Sequence, residues 1–524
     1  MTDANSSLEM WSWIFLSGYV VVMLGLGIVG MWRVKSGDDF AVARASYGPI
    51  FLAFAIVATS ASGGTFLGLP AMAYEAGVSA LLYAFVYPIA IYFGFLVSLK
   101  VVRRVGERFG NRSIPEYLGD RFESEALRIV AALFSLLLLF YLAAQLLAAA
   151  VLFTKVMGID LLPALITTAV ILFVYIVIGG AHADILTDGV QGALMLVLAI
   201  FVTWMFITGF GVGGGVMGIM DKLHEIDPAL TMPLHPSFPI LNSWWDIFAI
   251  AITHAPVGLL PHIGNKLWAL KSDSDQRRLL VVAFVFAMLM ATLTFGGLIA
   301  RAVLGDALFE DGANPNEAIP VLFITLMPAW VAALIGAGVL AAVMSTADGL
   351  LVSTSQIFAN DLYRRSIAPR LKSAPSDAEV DAVALKISRV AIVIIMIGSV
   401  WLAWESQHLN VALLIWSGVG GLMAATAGPM FLGALWDRST RPGALVGFIS
   451  GIVVFIVLKS GMLNPEWLNG TALEVAFRWM VSQSNNPFSC SALGAIASVS
   501  LMAIVSMLTT PPSEAHLDVV FGRG

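Results

Sequence analysis

The 524-residue chain is poor in charge, nearly devoid of cysteine and free of catalytic signatures. Asp, Glu, Lys and Arg make up 12% of it, about half of the roughly 25% usual in soluble globular chains. Hydrophobic residues make up 59%, and the mean hydropathy is +0.89. So few polar groups cannot cover that much apolar surface in water, which excludes a soluble enzyme and a disordered protein. The net charge of -6 offers no basic patch, which excludes a nucleic-acid partner. Cys490 stands alone, so it makes no internal disulfide and says nothing of redox compartment. The seven histidines include no HExxH spacing. GFGVGGGVMG (209–218) lacks the GxxxxGK of a phosphate loop and reads as a flexible outer loop. No nucleophile–base pair stands out either, so neither enzyme activity nor an enzymatic cofactor is expected.

What the sequence has in abundance is long apolar runs. A membrane-crossing helix needs about 20 such residues. Runs of that kind lie at 11–32, 50–75, 80–101, 125–154, 162–180, 186–210, 243–265, 279–304, 328–358, 387–404, 411–436, 442–461 and 490–510. The expectation is an all-α integral membrane protein with about thirteen spans in a lipid bilayer. The first run reads as an uncleaved span, since no basic residue precedes it. The tail after Leu508 reads as too short to fold.

Lys and Arg gather at 33–49, 101–128, 266–278, 359–389 and 437–441 and at Arg523. The alternate connections hold only Lys155, Lys222, Arg301, Lys459 and Arg478, with Arg301 expected to snorkel. The positive-inside rule then puts the N-terminus outside and the C-terminus in the cytoplasm, in a plasma (inner) membrane.

Two spans are dense in helix breakers. The second carries Ser60, Ser62, Gly63, Gly64, Gly68 and Pro70, and the seventh carries Pro256, Gly258 and Pro261. Backbone groups freed at such breaks must face protein or a wet cavity rather than lipid. The two lie five helices apart, as the openings of two inverted repeats would, and such a pair points to a transporter site at the bilayer midplane. The organisation expected is an outer end and extra first span (1–49), a first repeat (50–210), an outer loop (211–242), a second repeat (243–436), two further spans (437–510) and a short cytoplasmic tail (511–524).

Buried polar groups narrow the chemistry. Ala342, Ser345, Thr346 and Gly349 share one helix face by their spacing. Two hydroxyls on a small-residue face leave room for a hard cation, or alternatively form a packing seam. Asp188 and Asp348 are intramembrane carboxylates, of the kind that marks ion or proton paths. With no Lys or Arg in the middle of a span, neither acid is expected to be salt-bridged. His254, in the seventh span, either touches substrate or bonds a freed carbonyl. His262 lies near the cytoplasmic end of that span.

ATSASGGTFLGLPAMAYEAG (58–77), GGAHADILTDGVQG (179–192), MSTADGLLVSTSQIFANDLYRR (344–365) and AGPMFLGALWDRSTRPGALVGFISG (427–451) resemble the sodium:solute symporter family, over about residues 10–460. LPHIGNKLWALKSDSDQRR (260–278) is a looser match. The resemblance implies a LeuT-type five-plus-five inverted repeat and alternating-access, sodium-coupled symport of a small solute. It implies sodium ligands at the carbonyls of Ala58, Ala61 and Ala342 and the hydroxyls of Ser345 and Thr346. It implies a substrate cavity faced by Ser60, Ser62, Thr65, Tyr141, Gln145, Thr253, His254 and Val257. Ser60, Thr253 and Val257 stand where the family's proline transporters have aspartate, tryptophan and tyrosine, which argues against proline. The amide and acid groups of the sugar transporters are also mostly absent. A small carboxylate is therefore expected, such as a monocarboxylate, pantothenate or an amino acid, held by half-helix N-termini. Asp188 and Asp348 are expected to approach one another and share a second cation or a proton. The alternatives are proton coupling on the same scaffold and a transporter-like nutrient sensor. Oligomeric state and sodium stoichiometry are not readable from the sequence.

Overall fold

The computed structural model describes residues 2–310, 313–371 and 375–523; the side chains of 2–5, 175 and 177–179 lie outside the description. Among the described residues helices account for nearly all regular structure, with one isolated bridge, Tyr47–Leu270. The helices long enough to cross a membrane number ten, and two further pairs are each bent at a break. In chain order they are α1 (Thr2–Arg33), α2 (Pro49–Ser60), α3 (Gly64–Ala76), α4 (Ser79–Phe109), α5 (Glu125–Met157), α6 (Leu161–Thr208), α7 (Trp244–Leu259), α8 (Pro261–Ala269), α9 (Asp273–Leu304), α10 (Ala329–Arg370), α11 (Asp377–Glu405), α12 (Val411–Leu435), α13 (Arg441–Lys459) and α14 (Pro487–Leu508). The chain is thus a multi-pass membrane protein.

Among the described residues, length and composition give ten to twelve spans. The remaining expected span, 162–180, falls on the first part of α6, of which Leu161–Val174 is apolar and the side chains of 175 and 177–179 lie outside the description. Gly180 then takes φ 53°, ψ -148° and bends α6, a conformation closed to residues with a Cβ.

The two breaks fall where the sequence placed them. α2 and α3 meet at 62°, and α7 and α8 at 52°. α12, α5 and α10 are mostly buried and form the centre with α2 and α3, while α1 and α11 expose most of their surface. Close approach fixes α7 to α4, since a Cβ on Gly94 would strike the carbonyl of Ala255. Cys490 is wholly buried with Ala424, Phe455 and Leu458, between α12, α13 and α14.

The basic segments all meet at one end. Arg44 bonds the carbonyl of Asn111 (2.7 Å), and Arg112 pairs with Asp38 and Asp381 (3.6 and 3.4 Å). Arg365 pairs with Glu116 (3.0 Å), and Arg523 with Asp437 (3.0 Å). The tail corrects its expectation. α15 (Glu514–Phe521) does fold, and it docks through buried Leu517 and Val520. His516 Nε2 meets the Arg121 carbonyl at 3.0 Å, and Arg104 bonds the carbonyl of Phe521. Docking succeeds because the tail helix borrows a surface already made by α4 and the 114–121 helix. Arg301 does not snorkel either: it is buried, pairs with Asp306 (2.7 Å) and lies over the Tyr74 and Phe309 rings. The 209–218 glycines make an ordered reversal into a helix over Gly215–Ile226.

Candidate functional site

A helix that stops in the middle of a membrane leaves its last carbonyls without intrahelical partners. α2 does this at Ser60, and the helix face of α10 bearing Ser345 and Thr346 meets it. Ser345 Oγ donates within 2.9 Å of both the Ala58 and Ala342 carbonyls. Thr346 Oγ1 donates to the Thr59 carbonyl at 2.8 Å, with the Ala342 carbonyl at 3.5 Å. All of these residues are buried, and none is charged. Four of the five expected ligands are thereby gathered. Ala61 follows at the end of α2, with its N–H on the Val57 carbonyl (2.7 Å). Thr59, which the spacing did not single out, supplies the carbonyl that Thr346 reaches.

Beside this cluster lies a cavity of about 520 Å³, counting the space at its mouth. Ser60, Ser62, Thr65, Tyr141, His254 and Val257 line it as expected. Gln145 and Thr253 are not among its lining residues. Gln145 Oε1 accepts from the Gly63 N–H (2.8 Å) and so holds the break open, while Thr253 Oγ1 donates to the Phe488 carbonyl (3.1 Å). Thr253 thus spends its hydroxyl, and Gln145 its amide oxygen, on the scaffold.

Sequence reading missed Tyr83, Tyr87 and Trp416, which form much of the wall. Trp416 Nε1 donates to the Tyr83 hydroxyl (3.0 Å), which lies 3.5 Å from His254 Nε2. His254 Nδ1 meets the Ile250 carbonyl at 2.7 Å. A carbonyl only accepts, so Nδ1 carries the proton, and Nε2 is left to accept from Tyr83. His254 thus lines the cavity while its Nδ1 bonds a carbonyl one turn earlier in its own helix. Its ring lies 4.3 Å from the Trp416 ring centroid. α4 carries Pro88, and α12 carries Gly418, Gly420, Gly421 and Pro429, yet each runs on as one helix, and these aromatics gave no signal.

The acids are where the sequence reading fails most clearly. Asp188 is salt-bridged. Its carboxylate accepts from the Lys266 ammonium and from Thr59 Oγ1 (2.6 Å). Lys266 also lies 3.0 Å from Asp184, an acid the reading passed over, and 2.5 Å from Thr59 Oγ1. Lys266 reaches inward because α8 is clamped to α4. Arg103 bonds the Leu267 carbonyl (2.5 Å), and Trp268 Nε1 bonds the Val102 carbonyl (3.1 Å). The lysine seemed to sit in a connection because the break at Leu260 hides how far the span continues. Asp348 is buried on α10, and both it and Asp188 act electrostatically on the Tyr19 phenol, which accepts from Gln191. His262 is buried, edge-on to Tyr141 at 5.3 Å.

Comparison with known proteins bears on the family and the fold. The model of the sodium:solute symporter family matches residues 40–451. The sodium/pantothenate symporter of Haemophilus influenzae is 30% identical, over 84% of this chain and 88% of its own length. The sodium/proline symporter of Salmonella typhimurium is 29% identical, over 84% of this chain and 86% of its own. The solved structure of a Na+-coupled sialic acid symporter in a substrate-bound outward-open state superposes with a TM-score of 0.74. That match, at 22% identity, spans 96% of this chain and 99% of the other, and shows a common fold.

Proposed function

We propose that this chain, which belongs to the sodium:solute symporter family and is a sodium-coupled solute symporter rather than an enzyme, binds sodium at the end of α2 and a small carboxylate at the start of α3. The observation that carries the reading is the single break between them. The last carbonyls of α2, at Ala58 and Thr59, face the hydroxyls of Ser345 and Thr346. A helix C-terminus is the negative end of its dipole, and neutral oxygens are what a hard cation takes. The hydroxyl hydrogens need only rotate for their lone pairs to face the ion. Across the break, the N-terminus of α3 is the positive end. Ser62, Gly64 and Thr65 present it to the cavity, which has no Lys or Arg in its wall. One interruption therefore serves a cation on one side and an anion on the other.

The carboxylate preferred is pantothenate, then a monocarboxylate or amino acid. The hydroxyls of Ser60, Ser62, Thr65, Tyr83 and Tyr87 suit a hydroxylated acid, and a sodium/pantothenate symporter is among the relatives reported above. Sodium steadies the break and so raises solute affinity, and by linkage the solute raises sodium affinity equally. The end rich in Lys and Arg is cytoplasmic, with the N-terminus outside, in an inner or plasma membrane. Residues 50–210 and 243–436 form the two repeats that rock against one another around the site.

Uptake into proteoliposomes tests this. Saturable pantothenate entry is expected with outside sodium and is lost when choline replaces it. Uptake of a neutral sugar with no carboxylate entering would overturn the substrate class.

A further inference from the structure

Lys266 sits in a socket built for it. An ammonium group has three N–H donors and no acceptor. Three oxygens surround this one: Asp184 Oδ2 at 3.0 Å, Thr59 Oγ1 at 2.5 Å and a carboxylate oxygen of Asp188. Each of these residues is at least nine-tenths buried. The second oxygens, Asp184 Oδ1 and Asp188 Oδ1, make no hydrogen bond among the described residues, so the cluster keeps oxygen capacity beyond what the lysine uses. Thr59 joins the cluster to the first ion site, since its hydroxyl meets Lys266 while its carbonyl accepts from Thr346.

Carboxylates and a hydroxyl converging on one point, deep in a membrane protein, are the donors a hard cation requires. Here that point is already held by a cation on a side chain. Two unit charges at hydrogen-bond separation repel too strongly to share a centre of low dielectric.

We propose that the Lys266 ammonium is a tethered counter-ion that occupies the place a second coupling cation would take, so that each chain binds one sodium. This replaces the shared cation or proton expected at Asp188 and Asp348. It also rests on the reading of the first sodium site given above.

The test is direct counting of bound 22Na+ on the purified chain by equilibrium dialysis, with sodium alone as the probe. Wild type is expected to bind one sodium per chain and Lys266→Met two. Because Lys266→Met leaves two carboxylates without a counter-charge, a second variant, Lys266→Met with Asp184→Asn, removes one of them. It too is expected to bind two, the second at Asp188. A wild-type chain that binds two, or a folded double variant that still binds one, overturns the tethered counter-ion while leaving the first site intact. A wild-type chain that binds none overturns the first site itself.

Discussion

Two polar clusters lie back to back across Thr59, and they are built on opposite principles. The Ala58–Ala342–Ser345–Thr346 cluster contains only neutral oxygens, paired by rotatable hydroxyls. The Asp184–Asp188–Lys266 cluster contains full charges, paired by a saturated ammonium. Neutral dipoles lose little when a partner leaves, so they suit an ion that must come and go. Buried charges lose much when a partner leaves, so they suit a fixed join. The difference teaches which of two neighbouring oxygen clusters exchanges its cation.

That contrast can be broken most forcefully at the charged cluster. Lys266→Met is expected to lower stability by about 3–5 kcal/mol, the usual cost of removing one partner from a buried ion pair. The melting temperature in detergent measures it, and a change within about 0.5 kcal/mol, as for a surface pair, would refute a structural join. The neutral cluster should respond in function instead. Ser345→Ala and Thr346→Ala are each expected to raise the sodium concentration for half-maximal uptake tenfold or more, roughly 1.4 kcal/mol of sodium binding. Unchanged sodium dependence in both variants would remove the site.

The residue between the clusters sharpens the comparison. Thr59→Val removes the hydroxyl that Lys266 and Asp188 share but keeps the carbonyl, and should cost about 1–3 kcal/mol for the unsatisfied groups left behind. Thr59→Ser should restore most of that loss, as read in thermal melts of both variants. The smallest effect belongs to the exposed pair of Arg523 and Asp437 at the basic end. Hydrogen bonding to Arg523 holds the Asp437 carboxyl below its usual pKa. A carboxyl depressed in the folded state stabilises it above the ordinary carboxylate pKa and loses that contribution as pH falls through the folded value. Because the pair is open to solvent, Asp437→Asn is expected to change stability at pH 7 by at most about 0.5 kcal/mol.

Much of this was legible in the residue order. The breaks at Ser60–Gly64 and at Pro261 announced themselves through glycine and proline, which no lipid-facing helix carries in such density without cause. Ser345 and Thr346 followed from helical spacing. What stayed hidden depended on how a bent span continues. Lys266 follows an apolar run in sequence, and only the Arg103 and Trp268 clamps on α8 show that it is carried inward. Asp184 carried no signal of its own until Lys266 was in place beside it. The wall aromatics Tyr83, Tyr87 and Trp416 share their faces with ordinary apolar residues, and nothing in a hydrophobic helix tells a cavity-facing ring from a packing one. Gln145 and Thr253 had the right chemistry for a ligand, but the Gln145 amide oxygen is taken by the Gly63 N–H and the Thr253 hydroxyl by the Phe488 carbonyl.

Cys490 has a practical consequence. Its thiol is sealed among Ala424, Phe455 and Leu458, out of reach of water-borne alkylating reagents. The natural chain is therefore already a silent background for site-directed labelling. A cysteine introduced at Ser62 or Val257 would be the only thiol that a polar reagent meets. Its labelling rate, with and without sodium, would then follow the opening of the cavity directly, with no native residue removed to make room for the probe.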